Sequence, residues 1–266
     1  MGGVALRGAR VLLTGASGGV GQPLARRLAA EGAQLVLTGR RADVLEALAN
    51  EIGARAVVAD LALGADVAQL IEQAGEVDVL IANAALAGSG RLAALDVEHI
   101  ERAIAVNLRA PAVLAHAFAP AMAARGRGQI VFIGSLSGKA VSGGAAVYSA
   151  TKAGLRALAL GLRMELAPAG VGVSLVSPGF IASAGMYADT AIKLPPPMSA
   201  VPMVRVIDAI VRAIEHDRGE TDVASLTMRA GADLANLAPG LAARVGRMIG
   251  AGDLARQFEE RQTEKR

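Results

Sequence analysis

Short apolar runs alternate along the chain with longer segments in which apolar residues recur at helical spacing. Several runs are nearly continuous in Val, Ile and Leu, which is typical of strands buried on both faces of a parallel sheet. The predicted strands are Arg10–Thr14, Gln34–Thr38, Arg55–Ala59, Val77–Ala82, Gln129–Ile133, Val171–Val176 and Thr221–Leu226. Segments such as Gln22–Glu31, with Leu24 and Leu28 one turn apart, have the spacing of helices. The alternation predicts an α/β fold, a doubly wound parallel sheet of about seven strands with helices on both faces.

The pattern predicts one domain over residues 1–252, because no Gly/Ser-rich linker divides the chain. Residues 180–202 form an irregular, Pro-containing stretch that we expect to cover the substrate. Residues 253–266 form a charged tail with four basic and four acidic residues. This tail is read either as a solvated or fraying helix or as a partner-binding helix.

Composition excludes several classes of protein. With 53% hydrophobic and 19% charged residues the chain is not disordered, and with no Cys it has no disulfide framework, thiolate metal site or Cys nucleophile. A net charge of +3 and 2% aromatic residues argue against nucleic-acid binding. The longest uncharged run, Leu166 to Ala188, holds two Pro and four Gly, so we expect no membrane span. Met1–Leu6 lacks a signal-peptide pattern, so a cytoplasmic protein is expected. No metal site is predicted.

A glycine-rich segment, Thr14–Gly21, follows the first strand and leads into the first helix. Glycines permit a tight turn there, and the helix N-terminus offers free N–H groups to a pyrophosphate. The segment has no Gly-Lys-Ser/Thr, so it is not a Walker-type ATP site. The predicted cofactor-binding residues of this turn are Thr14, Gly15, Ser17, Gly19, Val20 and Gly21.

The end of the second strand indicates which dinucleotide binds. Sites that prefer NAD(H) usually carry an acid there for the ribose 2′-hydroxyl, whereas a guanidinium can hold a 2′-phosphate. This strand is followed by Arg40 and Arg41 and no acid. We therefore predict NADP(H) over NAD(H), with Arg40 on the phosphate; the alternative is that both arginines are ordinary exposed residues at a helix start.

Tyr148 and Lys152 stand four residues apart in a segment of helical composition, so their side chains share one face. A nearby ammonium lowers the pKa of a phenol and lets it exchange a proton near neutrality. This spacing is common by chance, but Ser135 follows the fifth strand and would face the same crevice. Asn107 lies in the preceding helical segment, either as a satisfied helix residue or as part of a water chain.

From Ala9 to Ser183 the chain resembles the short-chain dehydrogenase/reductase family, which implies a Rossmann-type sheet. The resemblance is carried by motifs in the family's order. They are Thr14–Gly21, Asp60-Leu61, Asn83-Ala84-Ala85, Asn107, Ser135, Tyr148 with Lys152, and Pro178-Gly179.

The resemblance implies a role for each of the four catalytic positions. Tyr148 would be the general acid in ketone reduction and the base in alcohol oxidation. Lys152 would lower the pKa of Tyr148 and bind the nicotinamide ribose, and both residues would contact the cofactor. Ser135 would polarise the substrate oxygen, and Asn107 would hold a relay water behind Lys152.

The same resemblance implies further cofactor contacts. Asp60 and the backbone of Leu61 would lie at the adenine, and Asn83, with Ala84 and Ala85, would steady the loop beside the cofactor. The residues flanking the nicotinamide carboxamide would be Pro178, Gly179 and, through its backbone, Ile181.

Three positions depart from the family's pattern. Ala85 replaces the usual Gly, which is tolerable unless the backbone there needs a positive φ. Ser183 replaces the usual Thr and keeps the hydroxyl. Gly18 stands where some NADP-using members carry a basic residue, which leaves most of the phosphate recognition to Arg40.

The predicted function is hydride transfer between NADP(H) and a carbonyl or secondary alcohol, with an apolar small-molecule substrate. Residues 180–202 supply the apolar side chains of Met186, Tyr187, Ile192, Leu194 and Met198. A homodimer or homotetramer is expected. The alternatives are a non-catalytic NADP(H)-binding regulator or scaffold, and a nucleotide-sugar epimerase or dehydratase on the same fold.

Overall fold

The computed structural model describes residues 2–87, 90–182 and 198–248, the last three of these by backbone alone. Within these ranges one parallel sheet has the strand order β3-β2-β1-β4-β5-β6-β7. The strands are Arg10–Thr14 (β1), Gln34–Gly39 (β2), Arg55–Val58 (β3), Val79–Ala82 (β4), Gly128–Ile133 (β5), Val171–Pro178 (β6) and Glu220–Val223 (β7). The predicted fold class is confirmed.

Helices connect successive strands and cover both faces of the sheet. They are Gly21–Ala30 (α1), Ala42–Ile52 (α2), Gly64–Ala74 (α3), Val97–Ile104 (α4), Ala110–Ala124 (α5), Ala146–Leu166 (α6), Met203–His216 (α7), Leu226–Leu237 (α8) and Pro239–Met248 (α9). A π-helical turn, Ala105–Arg109, joins α4 to α5. Short 3-10 turns occupy Leu92–Ala94, Leu136–Gly138 and Ala167–Ala169.

The strands are apolar throughout because successive side chains point to opposite faces and both faces are covered. On β1, Val11 and Leu13 pack with α1, α2 and α7, whereas Leu12 packs on the other face with α3, α5 and α6. On β5, Val131 and Phe132 divide between the two cores in the same way.

The last predicted strand, Thr221–Leu226, is wrong at its carboxyl end. Strand β7 ends at Val223, Ser225 is extended, and α8 begins at Leu226. The sequence Ala-Ser-Leu looked like a continuing apolar run, but Ser before a helix is a typical helix start. Strand four also begins later than predicted, at Val79; just before it, the Asp78 carboxylate accepts the backbone N–H of Arg10.

The strand order reverses between β1 and β4, which opens a crevice beyond the carboxyl ends of the strands. No helix in the described ranges is long and apolar enough to cross a membrane. The described side chains contain no cluster of His, Asp and Glu able to hold a metal ion. Residues 183–197, most of the expected substrate loop, and the predicted tail 253–266 lie outside the described residues.

Candidate active site

The turn between β1 and α1 is closed so tightly that two of its glycines leave no room for a side chain. Gly15 has a φ of +66°, and a Cβ on it would lie 2.7 Å from the Cα of Ala84. A Cβ on Gly21 would collide with the carbonyl oxygen of Gly15. Helix α1 starts after Val20 without a capping side chain or an acid in its first turn, so its positive end is not neutralised. This geometry suits a pyrophosphate.

Thr14 and Asn83 tie the carboxyl ends of β1 and β4 together at the crevice. The buried Thr14 hydroxyl donates to the carbonyl of Ile81 at 3.4 Å and accepts the N–H groups of Asn83 and Ala84, both at 3.0 Å. The Asn83 amide donates to the carbonyls of Thr14 at 3.0 Å and Gly15 at 3.3 Å. The side chain of Asn83 therefore uses its amide N–H groups to hold the glycine turn in place.

We expect Thr14→Val to lower the free energy of unfolding by about 2 kcal/mol, because it leaves the Ala84 N–H without its acceptor and the Asn83 N–H with only the Ile81 carbonyl. Thr38 is the matched control, since it pairs with Thr14 in the β1–β2 register and its buried hydroxyl has no partner in the described structure. Thr38→Val should be neutral or stabilising. Urea denaturation of both variants measures the difference, and equal losses would contradict this role of Thr14.

The end of β2 lies against the glycine turn. A Cβ on Gly39 would lie 2.7 Å from the Ser17 hydroxyl, so Gly39 is a site residue that the sequence reasoning missed; its place directly after a predicted strand was the available signal. The Arg41 guanidinium donates to the Ser17 carbonyl. Arg40 is exposed and makes no hydrogen bond or ion pair within the described ranges. The two neighbouring arginines therefore differ in their contacts, and of the two only Arg40 has a guanidinium without a described hydrogen-bond partner.

Asp60 begins a compact turn after β3. Its carboxylate accepts the N–H of Ala62 at 3.0 Å and the guanidinium of Arg102 at 2.7 Å. Burial raises the pKa of Asp60, but the Ala62 N–H and Arg102 outweigh this effect and leave the pKa below its ordinary value. The neighbouring Leu61 is buried in the core. Arg102, 42 residues away in sequence, was missed by the sequence reasoning.

Tyr148, Lys152 and Ser135 converge where α6 crosses the carboxyl end of β5. Tyr148 is 8% exposed and Lys152 2% exposed, and the Lys152 ammonium lies 5.8 Å from the centre of the Tyr148 ring. Lys152 donates to the Ile133 carbonyl at 2.8 Å, and the hydroxyls of Ser135 and Tyr148 interact. The Ser135 hydroxyl also accepts the N–H of Ser137 at 3.2 Å, which orients it.

Burial reverses the predicted direction of the tyrosine shift. It raises the pKa of Tyr148, only partly offset by the hydrogen bond with Ser135, whereas the sequence predicted that Lys152 lowers it. Burial also lowers the pKa of Lys152 to about 8, so the amine is still mostly charged at pH 7 and loses its proton about two pH units below a free lysine. The sequence-based prediction considered the positive charge and left out the burial of both groups.

Asn107 lies at the centre of the π-helical turn and is completely buried. Its amide accepts the N–H of Leu86 at 2.7 Å and donates to the Leu86 carbonyl at 2.9 Å and the Thr151 hydroxyl at 3.1 Å. Thr151 donates in turn to the Tyr148 carbonyl at 2.8 Å. These bonds are those of a satisfied helix residue, and the role in a water chain stays a prediction. The structure also adds Thr151, which the sequence reasoning passed over between Tyr148 and Lys152.

The remaining predicted residues border the crevice. Ala85 is exposed, and apart from glycines only Asp217 has a positive φ among the described residues, so its methyl group is tolerated. Gly179 follows Pro178 at the end of β6 and donates to the Val223 carbonyl at 3.0 Å. Ile181 is buried and pairs with Val201. The departure at Ser183 falls outside the described residues.

A doubly wound parallel sheet with a glycine turn after β1 places the chain in the class of dinucleotide-binding folds. The chain belongs to the short-chain dehydrogenase family, which matches residues 9–192. It is 34% identical over 227 residues to a ketoacyl reductase, HetN, of Nostoc sp., a match that covers 82% of this chain and 79% of that protein.

Two further similarities come from a second relative and from a solved structure. The 3-oxoacyl-[acyl-carrier-protein] reductase FabG of Escherichia coli is 34% identical over 176 residues, covering 64% of this chain and 72% of that protein. The structure of a short-chain dehydrogenase from Sphingobium yanoikuyae in complex with NADPH superposes with a TM-score of 0.72 at 33% identity, covering 91% and 92% of the two chains.

Proposed function

We propose that this oxidoreductase uses NADP(H) to interconvert a carbonyl and a secondary alcohol, with Tyr148 as general acid and base. The observation that carries the proposal is the burial of Tyr148 with the Ser135 hydroxyl and the Lys152 amine at the carboxyl edge of the sheet. Ketoacyl reductases among the relatives, and a relative crystallised with NADPH, support this reaction class and cofactor.

The residues present fit a dinucleotide, because side chains are excluded from Gly15 and Gly21 and the positive end of α1 is not neutralised. The cofactor supplies the hydride when bound. We assign its diphosphate to the glycine turn and its 2′-phosphate to Arg40. The other residues proposed to hold it are Thr14, Ser17, Gly19, Val20, Asp60, Leu61, Asn83, Ala84, Ala85, Tyr148, Lys152, Pro178, Gly179 and Ile181.

Three side chains handle the substrate oxygen and its proton. Ser137 donates to the Ser135 oxygen, which leaves the Ser135 hydrogen available to a substrate oxygen. Tyr148 donates its proton to that oxygen during reduction and takes it back during oxidation. Lys152 has a pKa of about 8, so it can both give and accept a proton when it restores the phenol. Asn107 and Thr151 fix the helical turn that carries both groups.

We expect Arg40→Ala to lower kcat/KM for NADPH by about tenfold or more while leaving kcat/KM for NADH nearly unchanged. The reason is that Arg40 is exposed and uncommitted at the end of β2. Arg41→Ala is the comparison variant, since its guanidinium is already bonded to Ser17. Steady-state kinetics with both cofactors measures the effect, and a wild type that prefers NADH would refute the assignment.

The proposed activity is tested by an NADP(H)-coupled screen of ketones, 3-oxoacyl thioesters and secondary alcohols. Fluorescence of bound NADPH serves as the binding control. Turnover of at least one carbonyl compound supports the proposal. Tight NADPH binding without turnover across the panel would instead favour the non-catalytic regulator.

We also propose that the protein is a cytoplasmic homodimer or homotetramer. Support for self-association comes from apolar side chains that are exposed on successive helices: Val97 and Ile104 on α4, Val113 on α5 and Met164 on α6. Light scattering during size-exclusion chromatography measures the assembly, and a monomer at micromolar concentration would disprove it.

A further inference from the structure

Two arginines on one continuous helical segment hold the turn that follows β3. Arg102 on α4 contacts the carboxylate of Asp60 at 2.7 Å, and Arg109 in the π-helical turn donates to the carbonyl of Ala62 at 2.6 Å. The two contacts differ in kind. Arg102 meets a charge, whereas Arg109 meets a neutral backbone group.

The β2–β3 register brings Asp60 close to Arg40. Gly39 pairs with Val58, and the N–H of Ala59 donates to the Gly39 carbonyl at 3.2 Å, so Arg40 and Asp60 both lie just beyond the ends of neighbouring strands. The positive charge of Arg40 helps to lower the pKa of Asp60, after the larger effects of burial, Ala62 and Arg102. Asp60 is therefore ionised at neutral pH and within electrostatic reach of Arg40.

We propose that Arg102 is a specificity-determining residue for the cofactor, because it engages the Asp60 carboxylate and so keeps Arg40 available for a 2′-phosphate. The inference rests on the proposed function. Besides Arg102, Arg40 is the cation whose charge acts on the Asp60 carboxylate. Without Arg102 the carboxylate would attract Arg40, and its unbalanced negative charge would also repel the phosphate. Arg102 acts on the phosphate through Asp60 and Arg40 and need not touch the cofactor.

The test measures the dissociation constants of NADPH and NADH by cofactor fluorescence and compares their ratio. The ratio cancels contacts that the two cofactors share, so it reports on the 2′-phosphate alone. Arg102→Gln should reduce the preference for NADPH by about two- to fivefold, the range that one partly exposed charge pair typically gives. Arg102→Lys keeps the charge and should retain the wild-type ratio.

Two further variants separate charge from structure. Arg102→Gln combined with Asp60→Asn should restore the wild-type ratio, since no carboxylate remains to capture Arg40. Arg109→Gln removes the neighbouring arginine but leaves the charge of Asp60 balanced, so it should weaken both cofactors equally. In 0.5 M NaCl the effect of Arg102→Gln should shrink, because salt screens exposed charges.

An unchanged ratio in Arg102→Gln, or an equal loss of ratio in Arg109→Gln, overturns the inference. If Arg102→Gln does not fold, the single variant Asp60→Asn serves as the test. An equal or greater preference for NADPH in Asp60→Asn supports the inference. A reduced preference would show that the carboxylate does not oppose the phosphate. A wild type that binds neither cofactor refutes the proposed function as well, whereas binding of both with no response to Arg102→Gln refutes this inference alone.

Discussion

Tyr148→Phe should lower kcat by about a thousandfold while changing the affinity for NADPH by less than about twofold. The substitution removes the only hydroxyl that α6 directs to Ser135 within the described structure, and it leaves the ring in its buried site. In the proposed site the cofactor is held largely by the glycine turn and Arg40, which this change does not touch. The loss should therefore appear in kcat and not in cofactor binding.

Ser149→Ala is the matched control for Tyr148→Phe. Ser149 is the next residue on the same helix, is also buried, and has a hydroxyl with no hydrogen-bond partner in the part of the chain that the structure describes. It should retain wild-type kcat. Stopped-flow measurement of NADPH oxidation with a substrate from the screen gives both values. A Tyr148→Phe enzyme with more than about a tenth of wild-type kcat would show that another group moves the proton.

Features encoded by residues close in sequence were predictable. A continuous apolar run predicts a strand buried on both faces, and β1 and β5 do place side chains in the cores on both sides of the sheet. Tyr148 and Lys152 share a helical face because four residues separate them, and that is a property of the helix alone. The glycine turn was recognised because tight turns depend on residue type.

Features that depend on long-range pairing were not predictable. Nothing in the sequence near Asp60 indicates Arg102, and nothing near Asn107 indicates that its amide binds the backbone of Leu86. The prediction that the pKa of Tyr148 is lowered was wrong for the same reason. A side chain's burial is set by the packing of several elements, and here burial raises the pKa of Tyr148, offset only in part by the hydrogen bond with Ser135.

Lys152→Met should lower kcat by at least about a hundredfold and yet raise the free energy of unfolding at pH 7 by about 1–2 kcal/mol. The amine is almost fully buried, its pKa falls to about 8, and no carboxylate compensates its charge among the described residues. Methionine fills a similar volume without a charge. The hydrogen bond to the Ile133 carbonyl is lost, which offsets part of the gain.

The pH dependence of stability distinguishes this explanation from simple repacking. The pKa of Lys152 is about 8 in the folded chain, below the value of about 10.4 expected when unfolded, so the unfolded state binds more protons between these values. The contribution of Lys152 to the free energy of unfolding should therefore rise by about 2 kcal/mol from pH 8 to pH 10 and stay constant below pH 7.

Urea denaturation of the wild type and Lys152→Met across this range measures that contribution as a difference, in which titrations common to both proteins cancel. Tyr148→Phe is the control, since it keeps the amine and should keep the rise up to pH 10. Parallel curves of the free energy of unfolding against pH for the wild type and Lys152→Met would mean that the pKa of the amine is not shifted. Its place beside Tyr148 would then not tune its proton affinity, and its role in restoring the phenol would lose its physical basis.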